Sequence, residues 1–477
     1  MGREIEGFEF DTAAFLRFRE SVARETALLS EWVRSGVMAE SPFVAGFELE
    51  AWLVDSDFAP APINEAYLAA LASDLVVPEL SKFNVELNGT PQVLGPGALI
   101  ALERELAATW RHCLAVADDL DAALVMIGIL PTVTEADLCV ANMSPLNRYH
   151  ALNRQIMRAR RGRAITVDIR GREHLLTKHS DVMLEAATTS FQVHMQVPAR
   201  RAARYYNASL VLSAPIVAAC GNSPLLFGRD LWDETRIPLF EQAVALGSKR
   251  HAAHDPARRV TFGGGYVGAS LLECFVENEG FYPCLLPVTF RDGAATLEHL
   301  RLHNGTIWRW NRPLIGFDAA GTPHFRIEHR VLPSGPSVLD MVANAALYFG
   351  LVHHFAGCGP APEARLPFER SRDNFYGAAR DGLAARLTWL DGRETDARTL
   401  LLDELLPVAR DGLFGLGLEP AEIDRYLGVI EARVRSKQTG TAWLRRRHNA
   451  NGRDLTALTS AYLAQQRTGA PVHEWPE

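Results

Sequence analysis

The chain has 477 residues, 48% of them hydrophobic and 22% charged, with a formal net charge of −8. So much apolar side chain excludes a disordered chain, and the mild negative charge argues against general binding to nucleic acid or to anionic membranes. The six cysteines, Cys113, Cys139, Cys220, Cys274, Cys284 and Cys358, contain no CxxC pair, which points to free thiols in a reduced, cytoplasmic protein.

Taken in chain order, Phe15, Phe18, Val22, Leu29 and Trp32 recur at helical spacing. They predict a helix from Thr12 to Ser35, capped by Asp11 and ended by Gly36. Strands are predicted at Val44 to Val54 and Lys82 to Asn88, and a long helix from Ala98 to Leu124. Ser144-Pro145 reads as a cap and first-turn pair opening another helix, which ends in the basic run Arg158 to Arg163. Thr188 to Val197 reads as a strand and Ala199 to Leu212 as a helix. The most apolar stretch, Ala208 to Cys220, holds two serines and a proline and falls short of the ~20 residues of a membrane span. Strands and loops dominate from Thr261 to Leu332. Gly357 to Pro367 reads as a connection, and the rest is helical, with helices opening at Glu419-Pro420 and at Arg453. The expectation is an α+β fold, with a catalytic domain over 1–356 and a helical region over 357–477 packed on it.

Side chains two apart on a strand share a face. In Gly46 to Leu53, the residues Phe47, Leu49, Ala51 and Leu53 form an apolar face, while Glu48 and Glu50 point the other way. Alone, this fits a solvated edge strand as well as a ligand pair. The pattern recurs with Asn84, Glu86 and Asn88, then with Gln192, His194 and Gln196, then with Arg326, Glu328 and Arg330. Solvated strands usually carry Lys, Thr and Ser instead, so four such strands suggest one sheet with a functional polar face. Four carboxylates and one imidazole, with no cysteine cluster, make an oxygen-rich site that suits Mg²⁺ or Mn²⁺. Arg236, Arg309, Arg312 and Arg330 are available to clamp phosphate or carboxylate. Metal plus arginine, without a covalent nucleophile motif, is the chemistry of phosphoryl transfer.

The motifs Gly46-Phe47-Glu48-Leu49-Glu50 with Leu53-Val54-Asp55, Glu86-Leu87-Asn88, Gln192-Val193-His194, Asn222-Ser223-Pro224 and Arg326-Ile327-Glu328-His329-Arg330 occur in that order. In this the chain resembles the glutamate–cysteine ligase family, in its shorter bacterial carboxylate–amine ligase branch, over about Gly46 to Leu332. The resemblance implies a glutamine-synthetase-like antiparallel sheet forming a funnel for metal ions and ATP. It implies Glu48, Glu50, Glu86, His194 and Glu328 as metal ligands, with Gln192 beside them. Arg330 is implied to act on transferred phosphoryl or on the acid substrate. It adds modest weight to Asn222 as a cofactor contact, although that segment also fits a plain turn, and places substrate-facing residues near Trp308 to Pro313.

The expected activity is ATP-dependent ligation of a carboxylate, glutamate first, to an amine, cysteine among the candidates, through an acyl phosphate. The same ligation with a different acid or amine, a metal-dependent amidohydrolase, and a non-catalytic nucleotide-binding relative are the competing readings. Expected partners are ATP and small amino acids, with no nucleic acid and no membrane, and self-association left open. Removing one charge, as in Glu50→Gln or Glu328→Gln, is expected to weaken turnover while the fold survives.

Overall fold

The computed structural model describes residues 4–247, 258–290, 293–357 and 360–476, so Cys358 lies outside the described residues. The first helix runs over Thr12–Ser35, as its caps dictate: Asp11 accepts from the Ala14 N–H at 2.6 Å, and Gly36 closes the helix at φ +75°.

The strands that build the site are β1 (Val44–Val54), β2 (Val76–Pro78), β3 (Asn84–Asn88), β4 (Gln92–Val93) and β5 (Ala123–Val125). The pair β6 (Ile165–Arg170) and β7 (His174–His179) forms a separate hairpin, and β8 (Phe191–Val197) returns to the sheet. Short pairs follow, β9 (Leu225–Leu226) with β10 (Arg229–Asp230) and β11 (Val260–Thr261) with β12 (Trp308–Arg309). Strands β13 (Asn311–Phe317) and β14 (Pro323–His329) complete the main sheet. Its order is β13-β14-β8-β1-β3-β2, with β4 and β5 also on β1, and every pairing is antiparallel. The α+β funnel architecture expected from the sequence is the one observed.

Register places the polar residues together. Glu50 lies opposite Glu86, Gly46 opposite His194, His194 opposite Glu328, and Glu328 opposite Arg312. Directly opposed residues share a face. The other face, with Leu49, Ala51, Val85, Leu87, Val193, Met195, Phe325 and Ile327, is fully buried. Helices Ala202–Cys220 and Val338–Gly357 pack against it.

Among the boundaries that differ from expectation, three show their cause. The long helix stops at Asp119; Asp121 turns the chain at φ +53° and Leu124 enters β5. The helix expected to open at Ser144 begins at Asn147, because the Ser144 hydroxyl donates to the Glu79 carbonyl and accepts from Asn64 instead of capping. The helix expected over Ala199–Leu212 spans Ala202–Cys220 and continues through Pro215. It is buried on nearly every side, so packing outweighs the proline's missing donor.

The helix Val338–Gly357 is long and apolar enough to cross a membrane, more so than the stretch singled out in the sequence, but most of it is buried within the fold. Helix Leu406–Gly415 crosses it at Gly350 and Gly412, where no Cβ fits between the backbones. Arg433 reaches Asp340 at 2.7 Å and Asn344 at 2.6 Å in the same interior. Near the chain end, Tyr462 donates to the Met126 carbonyl at 2.9 Å, and Gln466 donates to the same carbonyl at 2.8 Å and to Pro336 at 2.6 Å.

Candidate active site

Strand pairing brings the predicted ligands together as two triads rather than one cluster. In the first, Glu48, His194 and Glu328 place ligand atoms within 4.8 Å of one another; in the second, Glu50 and Glu86 are joined by Glu79 at the same spacing. Glu79 follows the short strand β2 and was missed in the sequence, since a three-residue strand shows no alternation to read.

His194 Nε2 lies 3.6 Å from a carboxylate oxygen of both Glu48 and Glu328. That nitrogen, Glu48 Oε2 and Glu86 Oε2 are buried without a hydrogen-bond partner. Orphaned acceptors and mutually repelling carboxylates in a dry site are what a divalent cation satisfies. The residues present therefore fit Mg²⁺ or Mn²⁺ ligation.

The electrostatics divide the face. Burial, then Glu79, pushes the Glu50 carboxyl up to about 7, with Arg330 opposing. Burial, then Glu48 and Glu79, raises Glu86 well above the carboxylate range. Burial lowers His194 to about 4, so the ring is neutral at pH 7 and free to ligate. Burial works against ionisation of Glu328 too, yet Arg312, Arg330 and His194 hold its carboxyl below the ordinary range. Arg312 does so bidentately, Nε to Oε2 at 2.7 Å and Nη2 to Oε1 at 2.8 Å. Arg330 Nη1 donates to Glu328 Oε2 at 2.9 Å and also to Gln192 Oε1; Gln192 in turn donates to Glu50 at 2.9 Å. The network thus runs Arg312–Glu328–Arg330–Gln192–Glu50 and links the two triads.

A cavity of about 450 Å³ opens above this face, with Glu48, Glu50, Glu79, Arg312, Glu328 and Arg330 on its floor. Phe240, Val244, Leu286, Phe290 and Trp308 form an apolar wall. Glu185, also unanticipated, lines it with its carboxyl raised by burial, Glu79 and Glu50. Three residues proposed from sequence as cofactor contacts sit elsewhere. Asn222 spends its amide on the Ser334 carbonyl and Tyr462, both at 2.8 Å. Arg236 is buried against Glu234 at 3.0 Å and donates to the Val331 carbonyl at 3.1 Å, bracing the turn after Arg330. Arg309 pairs with Glu277 at 3.0 Å and Asn278 at 2.7 Å.

The opposed pair Glu50–Glu86 gives a prediction with a sign. Carboxyls whose folded pKa lies above the unfolded value stabilise the metal-free fold at low pH. That stability is lost as pH rises from the unfolded value near 4.5 towards 7. In EDTA the melting temperature is expected to fall between pH 5 and pH 8, and Mg²⁺ to raise it more at pH 8. Glu86→Gln removes a like charge directly across the strands, so it should melt higher than wild type in EDTA at pH 8 and lose most of the Mg²⁺ shift. Thermal melts of both proteins at the two pH values check this; a Glu86→Gln variant that melts lower in EDTA refutes it.

A family model described as glutamate-cysteine ligase family 2 matches residues 44–461. Among solved structures, a glutamate–cysteine ligase from Francisella tularensis in complex with AMP superposes with a TM-score of 0.54 at 12% identity, covering 92% of this chain and 91% of that one. A bifunctional glutathione synthetase from Pasteurella multocida gives 0.49 at 11% identity, over 93% of this chain and 55% of that one. Among curated proteins no match was found. At such identity the first likeness concerns the fold.

Proposed function

This chain belongs to glutamate–cysteine ligase family 2, and on that premise we propose that it is an ATP-dependent carboxylate–amine ligase. Glutamate is the first candidate for the acid and cysteine for the amine. The observation that carries this reading is the pair of candidate metal triads, linked by an arginine network, whose Glu48, Glu50, Glu79 and Glu328 lie on the floor of one cavity.

In this reading Glu48, His194 and Glu328 would hold one divalent ion and Glu50, Glu79 and Glu86 another. Such ions, when bound, neutralise phosphate oxygens and align the transferred group. The carboxylate oxygen of the acid attacks the γ-phosphorus of ATP and ADP leaves, giving an acyl phosphate. The amine then attacks the acyl carbon and phosphate departs. Arg330, fixed at the cavity floor by Glu328 and Gln192, presents positive charge where the phosphoryl group would gather negative charge. Arg312 holds Glu328 ionised and oriented. The apolar wall excludes water that would otherwise hydrolyse the acyl phosphate.

The test is a panel of amino acids and amines, screened pairwise for phosphate release from ATP with product mass measured. Phosphate release that needs ATP and both substrates, with a product equal to their sum less water, is the expected result. Substrate cleavage without ATP would instead identify an amidohydrolase.

A further inference from the structure

We propose that Arg326 receives an oxyanion of a bound substrate, either a carboxylate of the acid or amine or a phosphate of the nucleotide. The names of these ligands rest on the ligase reading; the site itself rests on geometry.

The cavity is polarised. Glu50, Glu79 and Glu86 gather at the β1–β3 side, whereas Arg312 and Arg326 stand on β13 and β14, with Arg301 from helix Glu298–Gly305 beside them. From β3 to β14 is three strand spacings, about 14 Å. Around Glu328 on β14 the guanidiniums of Arg301, Arg312, Arg326 and Arg330 thus outnumber the carboxylates, which favours an anion there.

Two of the arginines at the anion end are already engaged, since Arg312 and Arg330 both bind Glu328. Arg326 is different. It is partly buried, it lines the cavity, its Nε has no hydrogen-bond partner, and among the described residues no carboxylate forms an ion pair with it. Its charged neighbours are Glu48 and Glu328 on one hand and Arg301 and Arg312 on the other. Glu328 is committed to its two arginines, and Glu48 opposes Arg326 by charge alone, with no ion pair or hydrogen bond between them. A guanidinium withdrawn from water beside other guanidiniums is unfavourable until an oxyanion arrives to share its donors. The position is also rigid, because Arg326 is held in register on both sides, opposite Gln196 on β8 and Leu314 on β13. No shift of the sheet is needed for binding. A ligand spanning the cavity would set one anionic group among the carboxylate triads, through metal, and a second against Arg326.

Arg326→Met is compared with wild type by calorimetric titration with Mg–ATP, pyrophosphate and L-glutamate, by KM for each substrate of any active pair, and by thermal melting. The expected result is a tenfold or larger weakening for one ligand, with an unchanged or higher melting temperature, because a partly buried cation without an ion pair has been removed. Weakening for Mg–ATP and pyrophosphate identifies the oxyanion as phosphate; weakening for glutamate or the amine identifies a carboxylate. Affinities and KM values all within twofold of wild type overturn the proposal. A lowered melting temperature with unchanged affinities overturns it too, since Arg326 would then serve only to offset Glu48. If Arg326→Met does not fold, Arg326→Gln is read by the same criteria. Should wild type release no phosphate with any acid–amine pair, the ligase reading fails, yet the pyrophosphate and glutamate titrations still decide the anion site.

Discussion

Arg330→Lys is expected to lower ATP-dependent turnover by roughly tenfold to a thousandfold, the range for losing one preorganised electrostatic donor, while metal affinity stays close to wild type. The two halves of this result have separate structural causes. Arg330 meets Glu328 and Gln192 through Nη1 alone, which leaves the rest of its planar fork for a ligand in the cavity, whereas a lysine has only one nitrogen to divide between them. Glu328 keeps its bidentate clamp from Arg312, so the first triad retains its geometry. Metal titration and phosphate release measured on the same variant check both. Near-wild-type turnover ends the catalytic assignment. A parallel loss of metal affinity would show instead that Arg330 only supports Glu328.

Glu328→Gln is expected to destabilise the protein as well as abolish most turnover. The sequence alone implies that the fold survives loss of this carboxylate, since a polar face lies outside the apolar core and relief of repulsion adds stability without metal. The structure reverses the sign. Glu328 is 1% exposed and is the shared counter-charge of two buried arginines. Removing one partner of such a cluster strands the others, at a cost of about 3–5 kcal/mol. The melting temperature of Glu328→Gln should therefore fall by many degrees in EDTA, where Glu86→Gln should rise. The contrast is a direct reading of which carboxylates are paired and which are opposed. Equal melting temperatures for the two variants would remove the distinction between the triads.

What the sequence revealed and what it hid follow one rule. Alternation along β1, β3, β8 and β14 is a local signal of period two, so Glu48, Glu50, Glu86, His194, Glu328 and Arg330 were all visible as members of polar faces. Which of them meet depends on register, which is not local. Hence the five expected ligands read as one group, although pairing sorts them into two. Glu79 and Glu185 lie just outside long strands, on a three-residue strand's end and a short 3-10 turn, where no periodicity marks them. Arg236 comes from charge type alone, and Arg309 from charge type and the resemblance over Trp308 to Pro313; neither signal distinguishes a guanidinium facing a ligand from one paired within the fold. Asn222 came from a motif whose job in this fold is to tie Ser334 and Tyr462 together.

The bridge from Glu50 through Gln192 to Arg330 carries a consequence for biosynthesis. Glu50 and Gln192 are 142 residues apart in the chain, and Gln192 and Arg330 a further 138. A nascent chain emerging from the ribosome therefore displays its acidic strands long before the arginines that will neutralise them have been translated. Contacts of such range make for slow assembly. No truncated product ending before Arg330 can hold the finished constellation. Until Arg330 is made, the acidic strands lack the guanidinium that joins the two triads.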